Sequence, residues 1–245
     1  MQTDVLLDRF LDELTALAPV AVWAHGSLAG GDYQEGRSDL DLLAVLDRPV
    51  TPATVRRVVT LHRRLRAEPL ARKLHCSYFA PDALDDAEQR HLTWAHDHVM
   101  RRPVTPVTRR ELHVFGRVLH GRSPAELLPA VSDREIGAFV VRDQRDFWRP
   151  AVDKARLWRQ DDWVDVGLTT FARATVTLRE GRLITKGEAL RELPGLGAPA
   201  EVVDDVRRRR YERPAPPAEE WPARRGELTR AYLGPAIDAL VTAYG

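Results

Sequence analysis

The chain has 245 residues, enough for one large domain or two small ones with real cores, and its net charge of +1 argues against a dedicated nucleic-acid binder. A single cysteine, Cys76, leaves no intramolecular disulfide and no Cys-based zinc site. No run reaches the roughly 18 apolar residues of a membrane span, and acids in "MQTDVLLDRFLDEL" stand where a signal peptide carries basic residues, so a cytoplasmic protein without membrane contact is expected.

Residues 4–17 place Val5, Leu6, Phe10, Leu11, Leu14 and Leu17 at helical spacing, and Pro19 ends the pattern. "VAVWAHGS" and "DLDLLAVL" read as two strands joined by a turn punctuated by Gly26, Gly30, Gly31 and Gly36. An amphipathic helix, "TPATVRRVVTLHRRLRAE", leads to a third short strand, "KLHCSYFA". "RHLTWAHDHVM" looks like a surface linker, and "TRRELHVFGRVLHG" fits a hairpin or a helix. Later segments carry apolar residues three and four apart, so that half is helical, interrupted by the Pro-rich and charged loop "RRRRYERPAPPAEEWP". The expected fold is an α/β (α+β) domain with a mixed sheet over residues 1–104, followed by an all-α domain over 105–245.

Two acids enter the apolar second strand. On a strand, residues two apart share a face, so Asp39 and Asp41 project side by side while Leu40 and Leu42 point into the core. Like charges that close are unfavourable without a cation between them. Carboxylates on a rigid strand suit Mg²⁺, a hard ion that shares its oxygen ligands with substrate phosphates. Gly26 and Ser27 supply a turn where backbone can approach an anion.

The frame of apolar strand, G-S, Gly-rich linker, S-D-L-D and apolar strand resembles the nucleotidyltransferase superfamily, in which a Mg²⁺-bound nucleoside triphosphate is the donor. "FGRVLHGRSPAELLP", "GLTTFARATVTLREGRLITKGEAL" and "LTRAYLGPA" narrow the resemblance to the aminoglycoside 3''-adenylyltransferases, the streptomycin and spectinomycin resistance enzymes. That resemblance implies that Ser27 and Ser38 match the triphosphate-loop serines beside Gly26, and that Asp39 and Asp41 match the metal ligands. It implies that Arg173 and Lys186 reach the ATP phosphates and that Tyr232 contacts ATP. The implied reaction transfers AMP from ATP, with Mg²⁺, to a hydroxyl of an aminoglycoside or aminocyclitol-like small molecule, by a monomer with its site between the two domains.

In the family a glutamate on the third strand is the general base; His75 stands there instead. A neutral imidazole can accept a proton at physiological pH. Trp94 offers an aromatic face for a sugar or base. An acid before the Arg173 helix is expected to meet the acceptor's amino groups, Asp165 first and Asp162 second. Two other functions fit the same residues: a nucleotide-binding regulatory protein or pseudoenzyme without the base, and a transferase with a protein or RNA acceptor. Lysine occurs only at 73, 154 and 186 in an arginine-rich chain, and Lys186 is absorbed by the family pattern.

Overall fold

The computed structural model describes residues 2–80, 83, 86, 88–212 and 216–245. They divide into two compact units, Met1–Val131 and Ser132–Gly245.

The first unit begins with α1 (Gln2–Leu14), β1 (Pro19–Ala24), a short α2 (Gly26–Ala29) and β2 (Leu40–Leu46). It continues through α3 (Pro52–Leu65), β3 (Leu74–Phe79), β4 (Arg90–Ala95), β5 (His98–Pro103), α4 (Pro106–Phe115), β6 (Arg117–Gly121) and α5 (Pro124–Leu127). The six strands form one sheet in the order β5-β4-β3-β2-β1-β6. Only β2 and β3 pair in parallel, because α3 carries the chain back across the sheet; the other neighbours are antiparallel. The sheet is therefore mixed, as expected.

Alternation along β2 decides what each face does. Leu40, Leu42, Ala44 and Leu46 pack under Leu6, Phe10 and Leu14 of α1 and Val58, Leu61 and Leu65 of α3. Leu43 and Val45 face the other way, with Trp23, Phe79 and Leu112 of α4. Asp39 and Asp41 belong to that second face, at the end of β2 where its apolar cover stops.

The structure corrects three expectations here. "RHLTWAHDHVM" is the β4–β5 hairpin rather than a linker, turning through His96 and Asp97 with φ of 53° and 64°. "TRRELHVFGRVLHG" is both a helix and a strand, α4 and then β6. Because β6 pairs with β1, the first unit runs to Val131 and not to residue 104.

All regular structure described in the second unit is helical: α6 (Asp133–Asp143), a π turn at Gln144–Trp148, α7 (Arg149–Val152), α8 (Asp161–Glu180), α9 (Lys186–Glu192), α10 (Ala200–Tyr211) and α11 (Trp221–Tyr244). Trp158, fully buried, donates its indole N–H to the Ala151 carbonyl at 2.8 Å. Gly167 makes room for it, since a Cβ there would stand 2.6 Å from the Trp158 ring. Arg207–Arg210 lie in the last turns of α10. Arg209 pairs with Asp165 and Asp205, and the buried Arg225 pairs with Asp205 and Asp161. The arginine run thus serves partly as an internal ion network.

Candidate active site

The site grows from the turn that follows β1. His25 donates its backbone N–H to the Asp41 carbonyl at 3.0 Å, fixing the turn against β2. Gly26 then takes φ +61°, where a side chain is strained, and a Cβ there would lie 2.9 Å from Asp41 Oδ2. Conformation and space both demand glycine, so the Gly-Ser motif is a packing requirement of the acid beside it. Ser27 is the second residue of α2, and its carbonyl accepts the Asp32 N–H at 3.0 Å. Ser38 closes the loop instead of leaving its hydroxyl open: Oγ accepts the Gln34 N–H at 3.1 Å.

Asp41 lies opposite His75 in the parallel register of β2 and β3. His75 Nδ1 is 3.7 Å from Asp41 Oδ1, while its buried Nε2 has no hydrogen-bond partner. The His96 ring packs against His75 with centroids 4.6 Å apart. At the neighbouring position Lys73 Nζ stands 3.3 Å from Asp39 Oδ1 and donates to the Arg37 carbonyl at 2.9 Å. Each acid of D-x-D therefore faces a basic side chain of K-x-H, Lys73 just before β3 and His75 on it. The spacing of two in "KLH" carried that signal, and sequence reasoning did not use it.

Glu111 of α4 is a second residue missed from sequence. It is buried and approaches His25 Nδ1 at 3.4 Å. Burial pulls the His25 imidazole down, but the Glu111 hydrogen bond and the charges of Asp41 and Glu111 outweigh it and hold its pKa above the ordinary value. Burial, reinforced by the neighbouring His75, pushes His96 the other way.

Asp39 and Asp41 are partly open, with side chains 40% and 35% exposed. Two oxygen-donor carboxylates fit a Mg²⁺ ion, which takes one or two protein carboxylates and completes its shell with phosphate oxygens and water. No group of three or more His, Cys, Asp and Glu side chains suited to a metal occurs among the described residues. His91 is instead a core residue against Phe79, its pKa pushed down to about 4, first by burial.

Trp94 requires a correction. It is buried, stacked on His62 with rings 4.6 Å apart and 6° from parallel, so its face belongs to the core under α3 and not to a ligand.

In the second unit Arg173, on α8, donates through Nε to the Ile184 carbonyl at 2.8 Å. That contact ties it to the segment leading into α9, whose first residue is the exposed Lys186, with Thr185 as its cap. Tyr232, on α11, sets its ring edge-on to Phe171 at 5.7 Å and donates its hydroxyl to the Leu196 carbonyl at 3.2 Å. Burial pushes its phenol up to about 12, so it remains a donor. Asp165 is engaged by Arg209 at 2.7 Å, and burial pushes its carboxyl up to about 6 against that pull. Asp162, in the first turn of α8, is exposed. Asp165 is thus committed to the arginine network.

Residues 7–92 match the nucleotidyltransferase domain family. No curated protein matches the chain in sequence. Among solved structures, the chain is similar to spectinomycin adenyltransferase AAD(9) from Enterococcus faecialis, crystallised with ATP and spectinomycin. The TM-score is 0.72 at 14% identity, with 94% of this chain and 98% of that chain covered. The glycine turn and the paired acids thus lie within the segment that matches the nucleotidyltransferase domain family, in a chain similar in fold to that adenyltransferase.

Proposed function

We propose that the protein is a Mg²⁺-dependent adenylyltransferase that moves AMP from ATP to a hydroxyl of an aminoglycoside or aminocyclitol-like small molecule. One observation carries this reading: two carboxylates share a face of β2, and the glycine turn is moulded to one of them. The similarity in fold to a protein crystallised with ATP and spectinomycin supports the choice of donor and acceptor class.

Bound Mg²⁺ would neutralise charge on the triphosphate and on the leaving pyrophosphate. Asp39 and Asp41 would hold the ion, and the Gly26–Ser27 turn would bring backbone close to the phosphates. Arg173 and Lys186 would supply donors to the nucleotide, Tyr232 would contact it, and exposed Asp162 would meet an acceptor ammonium. As the acceptor oxygen bonds to the α-phosphorus and the bond to pyrophosphate breaks, the hydroxyl proton must leave. His75, opposite Asp41 on the neighbouring strand, would take it.

A second reading, nucleotide binding without transfer, is favoured by one observation. His75 Nε2 is buried, with the His96 ring packed against His75, so no acceptor reaches it in this conformation. Pyrophosphate release with ATP, Mg²⁺ and an acceptor panel tests both. Transfer that His75→Ala slows by about 10² to 10⁴ supports His75 as base. A wild type inert with every acceptor, activated by His75→Glu, supports the second.

A further inference from the structure

Lys73 is one of three lysines in the chain, and nothing in the proposed reaction uses it. It ends a 3₁₀ turn, Ala71–Lys73, whose backbone is fixed by its own N–H donating to the Leu70 carbonyl at 2.9 Å. From there its ammonium makes two contacts with the loop that leads into β2, Asp39 Oδ1 at 3.3 Å and the Arg37 carbonyl at 2.9 Å. One contact satisfies a carboxylate expected to bind metal. The other pins the residue that leads into Ser38 and Asp39.

This arrangement changes the electrostatics of the acid pair. Two adjacent aspartates repel and would draw a divalent ion strongly even without nucleotide. With Lys73 on Asp39, that demand is already partly met by a cation the chain supplies. A divalent ion entering the pair must compete with a positive charge only a few ångströms from one of its own ligand oxygens. Triphosphate oxygens alter the balance, because their negative charge offsets both cations at once.

We propose that Lys73 is a positioning residue that acts as a built-in counter-cation for Asp39, weakening divalent-ion binding to the nucleotide-free protein and coupling metal loading to the arrival of the triphosphate. This rests on the metal site proposed above. Lys73 forms no bond with the reacting atoms; it acts through Asp39 and the Arg37–Ser38 turn.

Mn²⁺ binding, followed by paramagnetic resonance of the free ion, tests the idea in the full-length protein with and without a non-hydrolysable ATP analogue. Singly and doubly charged cations about 5 Å apart repel appreciably even in water, so Lys73→Ala should tighten nucleotide-free Mn²⁺ binding by about three- to tenfold after salt screening. The analogue should then enhance Mn²⁺ affinity less in Lys73→Ala than in the wild type. Lys73→Arg keeps the charge and should stay close to wild type in both measurements. A side chain that only braced the loop would move neither the nucleotide-free affinity upward nor the coupling downward. Unchanged or weaker Mn²⁺ binding in Lys73→Ala would overturn the proposal. Asp39→Asn with Asp41→Asn separates the two claims: if that double variant loses Mn²⁺ binding while Lys73→Ala gains none, the metal site stands and the role of Lys73 falls. If the double variant binds as well as the wild type, both fall.

Discussion

Replacing Gly26 by alanine separates the cost of a backbone conformation from the cost of displacing a ligand. At φ +61° an L-residue is strained, which costs roughly 1–2 kcal/mol. The new Cβ would also lie 2.9 Å from Asp41 Oδ2, and the atom it meets is the end of a side chain, so the carboxylate swings away while the backbone stays. Gly36→Ala is the matched control: its φ is +80°, with nothing within 4 Å of the added atom. Urea unfolding should show similar losses for both, about 1–2 kcal/mol each. Titration calorimetry of ATP with and without Mg²⁺ should show a Mg²⁺-dependent affinity lost by roughly tenfold or more in Gly26→Ala, equivalent to about 1.4 kcal/mol, and retained in Gly36→Ala. Equal Mg²⁺-dependent affinities in the two variants would refute the coupling of the turn to Asp41.

Asp39→Asn combined with Asp41→Asn should remove the Mg²⁺ dependence of ATP binding with the circular dichroism unchanged, since half-exposed ion pairs such as Lys73–Asp39 contribute at most about 1 kcal/mol to the fold. Lys186→Ala and Arg173→Ala should each weaken ATP binding by about 1.5–3 kcal/mol, the range for hydrogen bonds to charged groups; full affinity in both would detach the second unit from the nucleotide. His62 is buried beside Tyr78 and Trp94, and burial lowers its pKa from 6.5 to about 3. A depressed histidine is neutral when folded and charged when unfolded, so its contribution is present above pH 6.5 and drains away toward pH 3, at up to about 1.4 kcal/mol per pH unit. Chemical denaturation of His62→Gln across that window should give a flatter profile than the wild type, and parallel profiles would count against a buried neutral imidazole.

The acid pair was legible because a strand's period of two is short and rigid: "DLDLLAVL" fixes which residues face the core and leaves Asp39 and Asp41 nowhere else to point. The β4–β5 hairpin was not. His91, Leu92, Thr93, Trp94 and Ala95 are all buried, so β4 shows no alternation, while β5 is largely exposed. Its turn uses His96 and Asp97 at positive φ, without the Asn-Gly or Asp-Gly pair that announces such turns. Losing the hairpin also misplaced Trp94, which a linker would leave free to offer its face to a sugar or base but which stacks on His62. The spacing of two in "KLH" hinted at Lys73, but its contact with Asp39 depends on pairing across the sheet, and the Glu111 contact depends on α4 folding over the sheet, which no local pattern encodes. Asp165 was legible as an acid near the start of α8, but its commitment to Arg209 depends on α10.

The transfer itself is tested most directly by mass spectrometry of the acceptor. Spectinomycin, streptomycin and a wider aminocyclitol panel would be incubated with the wild type, ATP and Mg²⁺, beside the Asp39→Asn/Asp41→Asn variant. A member of the panel should gain the mass of one AMP moiety with release of pyrophosphate, only with Mg²⁺ and only with the wild type. An adduct that forms equally well with the double variant, or no adduct on any acceptor although ATP binds in a Mg²⁺-dependent way, would contradict the assignment of this site to adenylyl transfer.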